Sequence, residues 1–231
     1  MEKSRAIQPS LFFLIFLAIF LLSSATIPAQ PGKWSFGLNI GPIFSNHWST
    51  EDTPAGYEKP IGESGLSLGV YTNYRLSKRF SLQVGIGLAE KGAKHNLVIE
   101  GFPYGPVDIT YNTEHIEIPV WLKFYVIKKE KIRLYTGAGG YFAYLTKGQY
   151  TFENEFIPSF TEDMDDLKKS DIGMMFNWGL EVKVAHFLFH LEYRYSMGFT
   201  DISFPTGPGT PGVNLRNMAH VALFGVSFNS R

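Results

Sequence analysis

The sequence contains no cysteine. That absence removes thiolate nucleophiles, disulfides, Cys-ligated zinc and iron–sulfur clusters together, and with them the acylated cysteine of a lipoprotein anchor. Charge of one sign is missing as well: 21 basic and 21 acidic residues give a formal net charge of +0. A nucleic-acid partner, whose phosphates call for a basic surplus, is not expected. Long apolar runs are scarce. One covers residues 11–22, and no other stretch approaches the about 18 uninterrupted apolar residues of a membrane helix. Glycine (23 residues) and aromatics (16%) are plentiful instead, a mixture suited to strands and tight turns.

The N-terminus reads as an address. Lys3 and Arg5 precede the apolar run, and Ser23, Ser24, Ala25 and then Ala29 follow it. A basic start, an apolar core and a small-residue exit describe a secretory signal peptide. We expect residues 1–29 to be that peptide, cut after Ala25 or Ala29, and residues 30–231 to form one exported domain. The run is shorter than the roughly 20 residues that a retained anchor helix needs.

Beyond it the chain alternates with period 2, the mark of strands with two unlike faces. Trp34, Phe36, Leu38 and Ile40 oppose Ser35, Gly37, Asn39 and Gly41. Leu66, Leu68 and Val70 oppose Ser67, Gly69 and Tyr71, and Leu82, Val84, Ile86 and Leu88 oppose Gln83, Gly85 and Gly87. Ile116, Ile118, Val120, Leu122 and Phe124 oppose Glu117, Pro119, Trp121 and Lys123. A fifth segment near 131–145 is ambiguous, with aromatics and glycines on both faces. The sixth sets Ile172 to Val182 against Asp171 to Lys183, the seventh Phe187 to Tyr195 against His190 to Ser196, and the eighth Ala222 to Phe228 against Leu223 to Ser227.

Long polar connections at 45–63, 92–112, 146–167 and 200–214 take turns with short ones near 77–78, 128–130 and 185. An up-and-down sheet puts every second connection at the same end, so one rim is elaborate and the other plain. The expected fold is all-β: an eight-stranded antiparallel up-and-down transmembrane β-barrel with both termini at the plain, periplasmic rim. A soluble barrel of lipocalin type is the alternative, with its apolar face turned inward around a small ligand. The glycines on the polar face favour a crowded interior, and the bulky apolar face favours lipid. Trp34, Tyr74, Tyr125, Trp178 and Tyr195 are placed in interfacial girdles.

With the polar face inward, Arg75, Lys123, Lys183 and Arg194 meet Glu117, Asp171, Glu181 and Glu192. Buried charges need partners, and the bore of eight strands is only wide enough for side chains. The expected lumen is therefore plugged by an ion-pair network. Pro119, mid-strand and without an N–H, is expected at a bulge.

Several stretches together resemble a known family. Leu82-Gln83 with Gly85, Gly87 and Lys91-Gly92, then Glu117-Ile118-Pro119-Val120 with Leu122-Lys123, lead to Gly137 and Gly139. Asp171 and Gly173, and Tyr193-Arg194-Tyr195 with Gly198, complete the set. In order and spacing these are similar to the outer-membrane β-barrel domain proteins of the PorT family of Bacteroidota. The resemblance spans most of the exported chain, with a bulkier Trp121 and unmatched loops. It implies an integral outer-membrane protein, and its namesake is tied to secretion across that membrane. It implies no catalytic residues.

The residues themselves argue little chemistry. His186 and His190 share a face but sit ~13 Å apart at ~3.3 Å per residue, too far for one metal. No serine occupies a Gly-x-Ser-x-Gly elbow. The Gly207 to Gly212 stretch has prolines where an anion cradle needs donors. No cofactor and no confident metal site is expected. The long connections are acidic: Glu51, Asp52, Glu58 and Glu63 face only Lys59 in one. Glu162, Asp163, Asp165 and Asp166 form a candidate cation site in another. Trp48, Tyr57, Phe102, Tyr104, Phe156 and Phe160 form a candidate surface for a protein or glycan.

The expected function is a non-enzymatic structural or interaction role, linked to outer-membrane secretion or assembly. The expected partners are outer-membrane lipid, lipopolysaccharide and the barrel-assembly machinery. An outer-membrane enzyme acting on lipid or lipopolysaccharide is the alternative from another class.

Overall fold

A computed structural model describes residues 33–49, 60–97, 105–156, 158–164, 168–202 and 215–229. The expected signal peptide lies outside the described residues. Among the described residues nine strands follow one another: β1 (Trp34–Trp48), β2 (Ile61–Arg75), β3 (Phe80–Leu97), β4 (Val107–Lys128), β5 (Ile132–Glu153), β6 (Phe160–Asp163), β7 (Ser170–Val184), β8 (Phe187–Gly198) and β9 (Arg216–Asn229). All but β6 form one antiparallel ring in chain order, closed where β9 pairs with β1. The four-residue β6 pairs with β5 alone and stands outside the ring.

The register fixes the size of the barrel. One line of partners runs Trp34, Tyr74, Leu82, Leu122, Ala138, Phe176, Tyr195, His220 and back to β1 at Phe44. The walk returns 44 − 34 = 10 residues from its start, and such a shear on eight strands tilts them by about 40°. All nine residues on that line point outward. Ten residues at ~3.3 Å each, projected through the tilt, span ~25 Å, the height of a bilayer's apolar band.

Side chains follow the alternation. Leu38, Ile40, Phe44, Ile172, Phe176, Trp178, Leu191 and Phe224 are large, apolar and exposed on the outside. Asn39, Asn73, Gln83, Lys123, Asn177, Glu181, Glu192 and Arg194 are buried inside. This orientation overturns the soluble lipocalin-like alternative, because the apolar face looks out. Tyr125 also departs from expectation: it is buried in the lumen rather than placed in a girdle.

The prolines are handled without displacement. At Pro119 the pairs Val84↔Val120 and Gly87↔Glu117 keep one register on the β3 side, with no bridge between them, while Pro119 pairs with Tyr141 on β5. No bulge forms there. Pro42 repeats the arrangement, pairing with Leu66 on β2 while the ladder to β9 lapses between Ile40↔Phe224 and Ile43↔Val221. Two missing bridges cost less than a one-residue slip, which would turn every following side chain to the wrong face. The register shifts lie elsewhere: Val126 on β4 and Thr146 on β5 are left unpaired, and the β2–β3 ladder shifts between Gly62 and Ser67.

The long connections are partly strand. β3, β4 and β5 continue to Leu97, from Val107 and to Glu153, and with β6 they form a sheet rising above the apolar band. Polar Thr, Asn and Gln fill that extension, so the sequence reads it as loop.

Candidate functional site

The lumen is crossed by linked polar groups. Lys123 Nζ lies 2.8 Å from Glu181 Oε1, and Arg133 Nη1 lies 3.7 Å from Glu181 Oε2. The same ammonium sits 4.0 Å from the centroid of the Tyr135 ring. The Tyr135 hydroxyl donates to Glu192 at 2.8 Å, and the other Glu192 oxygen accepts from Arg194 at 2.9 Å. Nearer the elaborate rim, Lys91 meets Glu117 at 2.6 Å. Tyr141 and Asn217 both donate to Asp171, at 3.0 and 3.1 Å. Charge-assisted bonds of this kind are what make ions tolerable away from water.

Of the eight residues assigned from sequence to this network, Glu117, Lys123, Glu181, Glu192 and Arg194 are ion-paired, and Asp171 is held by neutral donors. Arg75 and Lys183 sit at the short-turn mouth, with no ion pair among the described residues. Sequence reasoning missed Lys91 and Arg133. The first lies on the inward parity of β3 beyond the point where the pattern was followed, the second on the ambiguous fifth strand.

Glycines and aromatics fill the bore together. A Cβ placed on Gly179 would strike the Tyr135 ring, one on Gly173 the Tyr141 ring, and one on Gly137 the Trp121 ring. Each bare inward position thus receives a large ring from the neighbouring strand. Trp121, Tyr135 and Met175 are each 1% exposed. An apolar layer of Ile43, Ala89, Ala219, Val221 and Leu223 lies nearer the elaborate rim. Among the described residues two cavities in the lumen are each of about 20 Å³, enough for a single water.

The profile of the outer membrane protein beta-barrel domain family matches residues 26–203. The chain belongs to that family. Its place is the outer membrane, where the apolar band of ~25 Å faces lipid. No curated protein matches the chain. Among solved structures it is similar to outer membrane protein OprG of Pseudomonas aeruginosa, at 15% identity over 87% of this chain and 98% of that one, with a TM-score of 0.49. It is also similar to Ail, the attachment invasion locus protein of Yersinia pestis, at 14% identity over 86% and 100% with a TM-score of 0.39. A third likeness is to the outer membrane protease OmpT of Escherichia coli, at 7% identity over 88% and 99% with a TM-score of 0.45.

In this outer-membrane barrel the elaborate rim carries the remaining candidates. Phe160 stacks on Phe152 with centroids 5.1 Å apart, and Phe156 is exposed. Trp48 lies on the outward parity of β1 with the Arg216 guanidinium 5.1 Å from its ring. Tyr57, Phe102 and Tyr104 lie outside the described residues, as do Asp165 and Asp166. Of the candidate cation ligands, Glu162 accepts from the Tyr150 hydroxyl at 2.6 Å and Asp163 from Gln149 at 2.7 Å. Among the described residues no three His, Asp or Glu side chains converge to hold a metal.

Above the band, His47 Nδ1 lies 3.0 Å from His95 Nε2, with the Tyr111 ring 5.3 Å from that of His95. Burial lowers His47 to about 3, helped by His95, and lowers His95 to about 4. Both are neutral at pH 7. Their unfolded value near 6.5 means that the open rim binds protons first as pH falls. The stability they contribute is intact above about 6.5 and is lost from there down to about 4 for His95 and about 3 for His47. Amide exchange at the outer ends of β1 and β3 is expected to quicken on acidification through that window, relative to β7. The slope should flatten in His95→Gln. A rim whose protection is independent of pH would contradict this.

Proposed function

We propose that the protein is a non-enzymatic outer-membrane barrel that acts through its elaborate rim rather than through its bore. The observation that carries this reading is the filled lumen, in which, among the described residues, ion pairs, rings and an apolar layer surround two water-sized cavities. A bore of that kind supports no solute path, so the work falls to surfaces. The rim sheet and its exposed Phe156 and Phe160 are suited to a protein or glycan. The band and its borders meet lipid and lipopolysaccharide, and insertion calls on the barrel-assembly machinery. In this reading the short-turn end and both termini face the periplasm. The similarity to PorT proteins supports a link to outer-membrane secretion or assembly.

Purified protein in planar bilayers is expected to give no unitary conductance steps. Stable, reproducible steps would overturn the closed lumen. Biotinylation of intact cells at Lys147 and Lys168, with Lys78 and Lys129 protected, tests the orientation. Lipid A masses unchanged on overproduction would weigh against the enzymatic alternative.

A further inference from the structure

β6 is the end of its sheet. It pairs with β5 alone, through Gln149↔Asp163, Tyr150↔Glu162, Thr151↔Thr161 and Phe152↔Phe160, and all four of its residues are exposed. The ring supplies no strand for its other side, because β7 reaches along β5 only to Tyr144↔Ser170. One bond fixes which backbone groups are left over. The Met164 amide donates to the Gly148 carbonyl at 2.9 Å, one step beyond Gln149↔Asp163 in the same register. Opposed residues in an antiparallel pair alternate between those that exchange backbone bonds and those that do not. Glu162 and Phe160 therefore bond to β5, and Thr161 and Asp163 turn their N–H and C=O groups away from it. The side chains agree, since those of the non-bonded pairs lie closer: the Thr151 and Thr161 hydroxyls are 2.9 Å apart, and Gln149 donates to Asp163 at 2.7 Å. Two donors and two acceptors thus face outward with no backbone partner among the described residues.

The charge around this edge is of one sign. Residues 93–115 and 146–169, which hold the rim ends of β3, β4 and β5 and the whole of β6, contain nine acidic and four basic residues, an excess of 9 − 4 = 5 negative charges. Lys94 is engaged by Asp108 and Glu153 at 2.9 and 3.5 Å, and Lys147 lies 4.0 Å from Glu114. On β6 itself Glu162 and Asp163 accept from the neutral Tyr150 and Gln149, and neither has an ion pair among the described residues. A second copy brought edge to edge would set these acids against their own kind, which destabilises a ladder. An acidic glycan would be repelled as well. Short length and charge are the devices that keep an edge strand from pairing with its like, and here they leave a basic strand as the complement. Phe160, stacked on Phe152 at 5.1 Å, offers an apolar contact to an incoming side chain on one face.

We propose that the free edge of β6 takes up an extended, basic segment of another protein, added as a further strand of the rim sheet and bonded to Thr161 and Asp163. Backbone bonds supply the attachment, and Glu162 and Asp163 select lysine or arginine on the incoming strand. The inference rests on the reading that the rim does the work, and it names the partner's chemistry and the edge that meets it.

A capped peptide alternating lysine and valine, titrated into the intact protein in phosphatidylcholine nanodiscs, tests the edge by calorimetry and by amide shifts. Saturable binding is expected, with the shifts centred on Thr161 and Asp163. The same peptide N-methylated at every residue keeps its charge and loses its strand bonds, and it should bind at least about tenfold more weakly. Thr161→Pro removes an N–H that faces outward while sparing the bonds to β5. It should weaken the unmodified peptide by a similar factor, with unchanged amide shifts along β5 as the check that β6 stays paired. Exchanging lysine for glutamate in the peptide should abolish binding. Equal binding of the methylated or the glutamate peptide, or no saturable binding at all, overturns the proposal. Self-association of the native protein that Thr161→Pro removes would give the edge to a second copy and overturn it too. Failure here leaves the closed bore untouched, whereas conductance steps would overturn the rim reading and leave a bound peptide in place.

Discussion

Replacing Glu181 with alanine is expected to lower the unfolding free energy by roughly 3–5 kcal/mol, the usual cost of stranding a buried partner charge. The substitution leaves Lys123, 2% exposed, without its carboxylate partner and with the faces of Tyr135, Trp121 and Tyr125, at 4.0, 5.2 and 6.0 Å, to stabilise it. Arg133 loses the same partner, but it stands near the mouth and reaches water. Lys123→Met is expected to cost less than Glu181→Ala, because Glu181 then retains Arg133 as its cation. The double variant Lys123→Met with Glu181→Leu removes both charges and fills the space, and it should regain most of the loss. Urea unfolding in phospholipid vesicles, followed by tryptophan fluorescence, measures all three. Additive losses in the double variant would mean that the two groups do not act as a pair.

Valine at Gly179 is expected to be nearly as damaging, at about 3 kcal/mol, the upper end of overpacking costs. Its Cβ would clash with the hydroxyl end of the Tyr135 ring. That ring cannot swing aside easily, because its hydroxyl is bonded to Glu192 and its face is covered by Lys123. The backbone is also fixed, since Gly179 pairs with Tyr135 on β5 and with Glu192 on β8. A smaller partner should relieve the clash, so Tyr135→Leu in the same chain is expected to restore part of the stability. The slope of the unfolding transition should stay the same if only packing has changed. An unaltered midpoint in Gly179→Val would show that the interior has slack.

The two faces of most strands were legible because a tilted barrel wall imposes strict alternation on any segment that separates lipid from a polar core. Ile172 to Val182 against Asp171 to Lys183 is the plainest example, and it holds almost residue for residue until Lys183 emerges at the mouth. The alternation of long and short connections was legible for the same geometric reason. The contents of the bore were harder to see. Inward glycines at 137, 173 and 179 suggest emptiness in one dimension, yet each is the seat of a ring carried by the adjacent strand. That pairing depends on register, which the sequence does not display. Lys91 and Arg133 were hidden for a related reason, as their strands run further or read less clearly than the pattern shows. Above the band both faces of β4 and β5 are polar or aromatic, so nothing in the composition distinguishes strand from loop. There β6 and the His47–His95 contact become visible only once the strands are in place.

The seam between β1 and β9 governs when this barrel can form. Every other pairing in the ring joins strands that are neighbours in the chain once β6 is set aside, whereas Ser35↔Asn229 unites positions 229 − 35 = 194 residues apart. The entropy of closing such a loop rises only slowly with its length, but the closing strand must exist before it can be used. Until β9 arrives, β1 and β8 are bare edges, and bare edges invite pairing with other chains. Hairpins assembled early gain little from waiting in water, with their apolar faces uncovered. The ring therefore favours a chain that is kept unstructured until its whole length is at the bilayer and then zips shut in one concerted step. Deleting β9 should leave an aggregating sheet rather than a seven-stranded barrel.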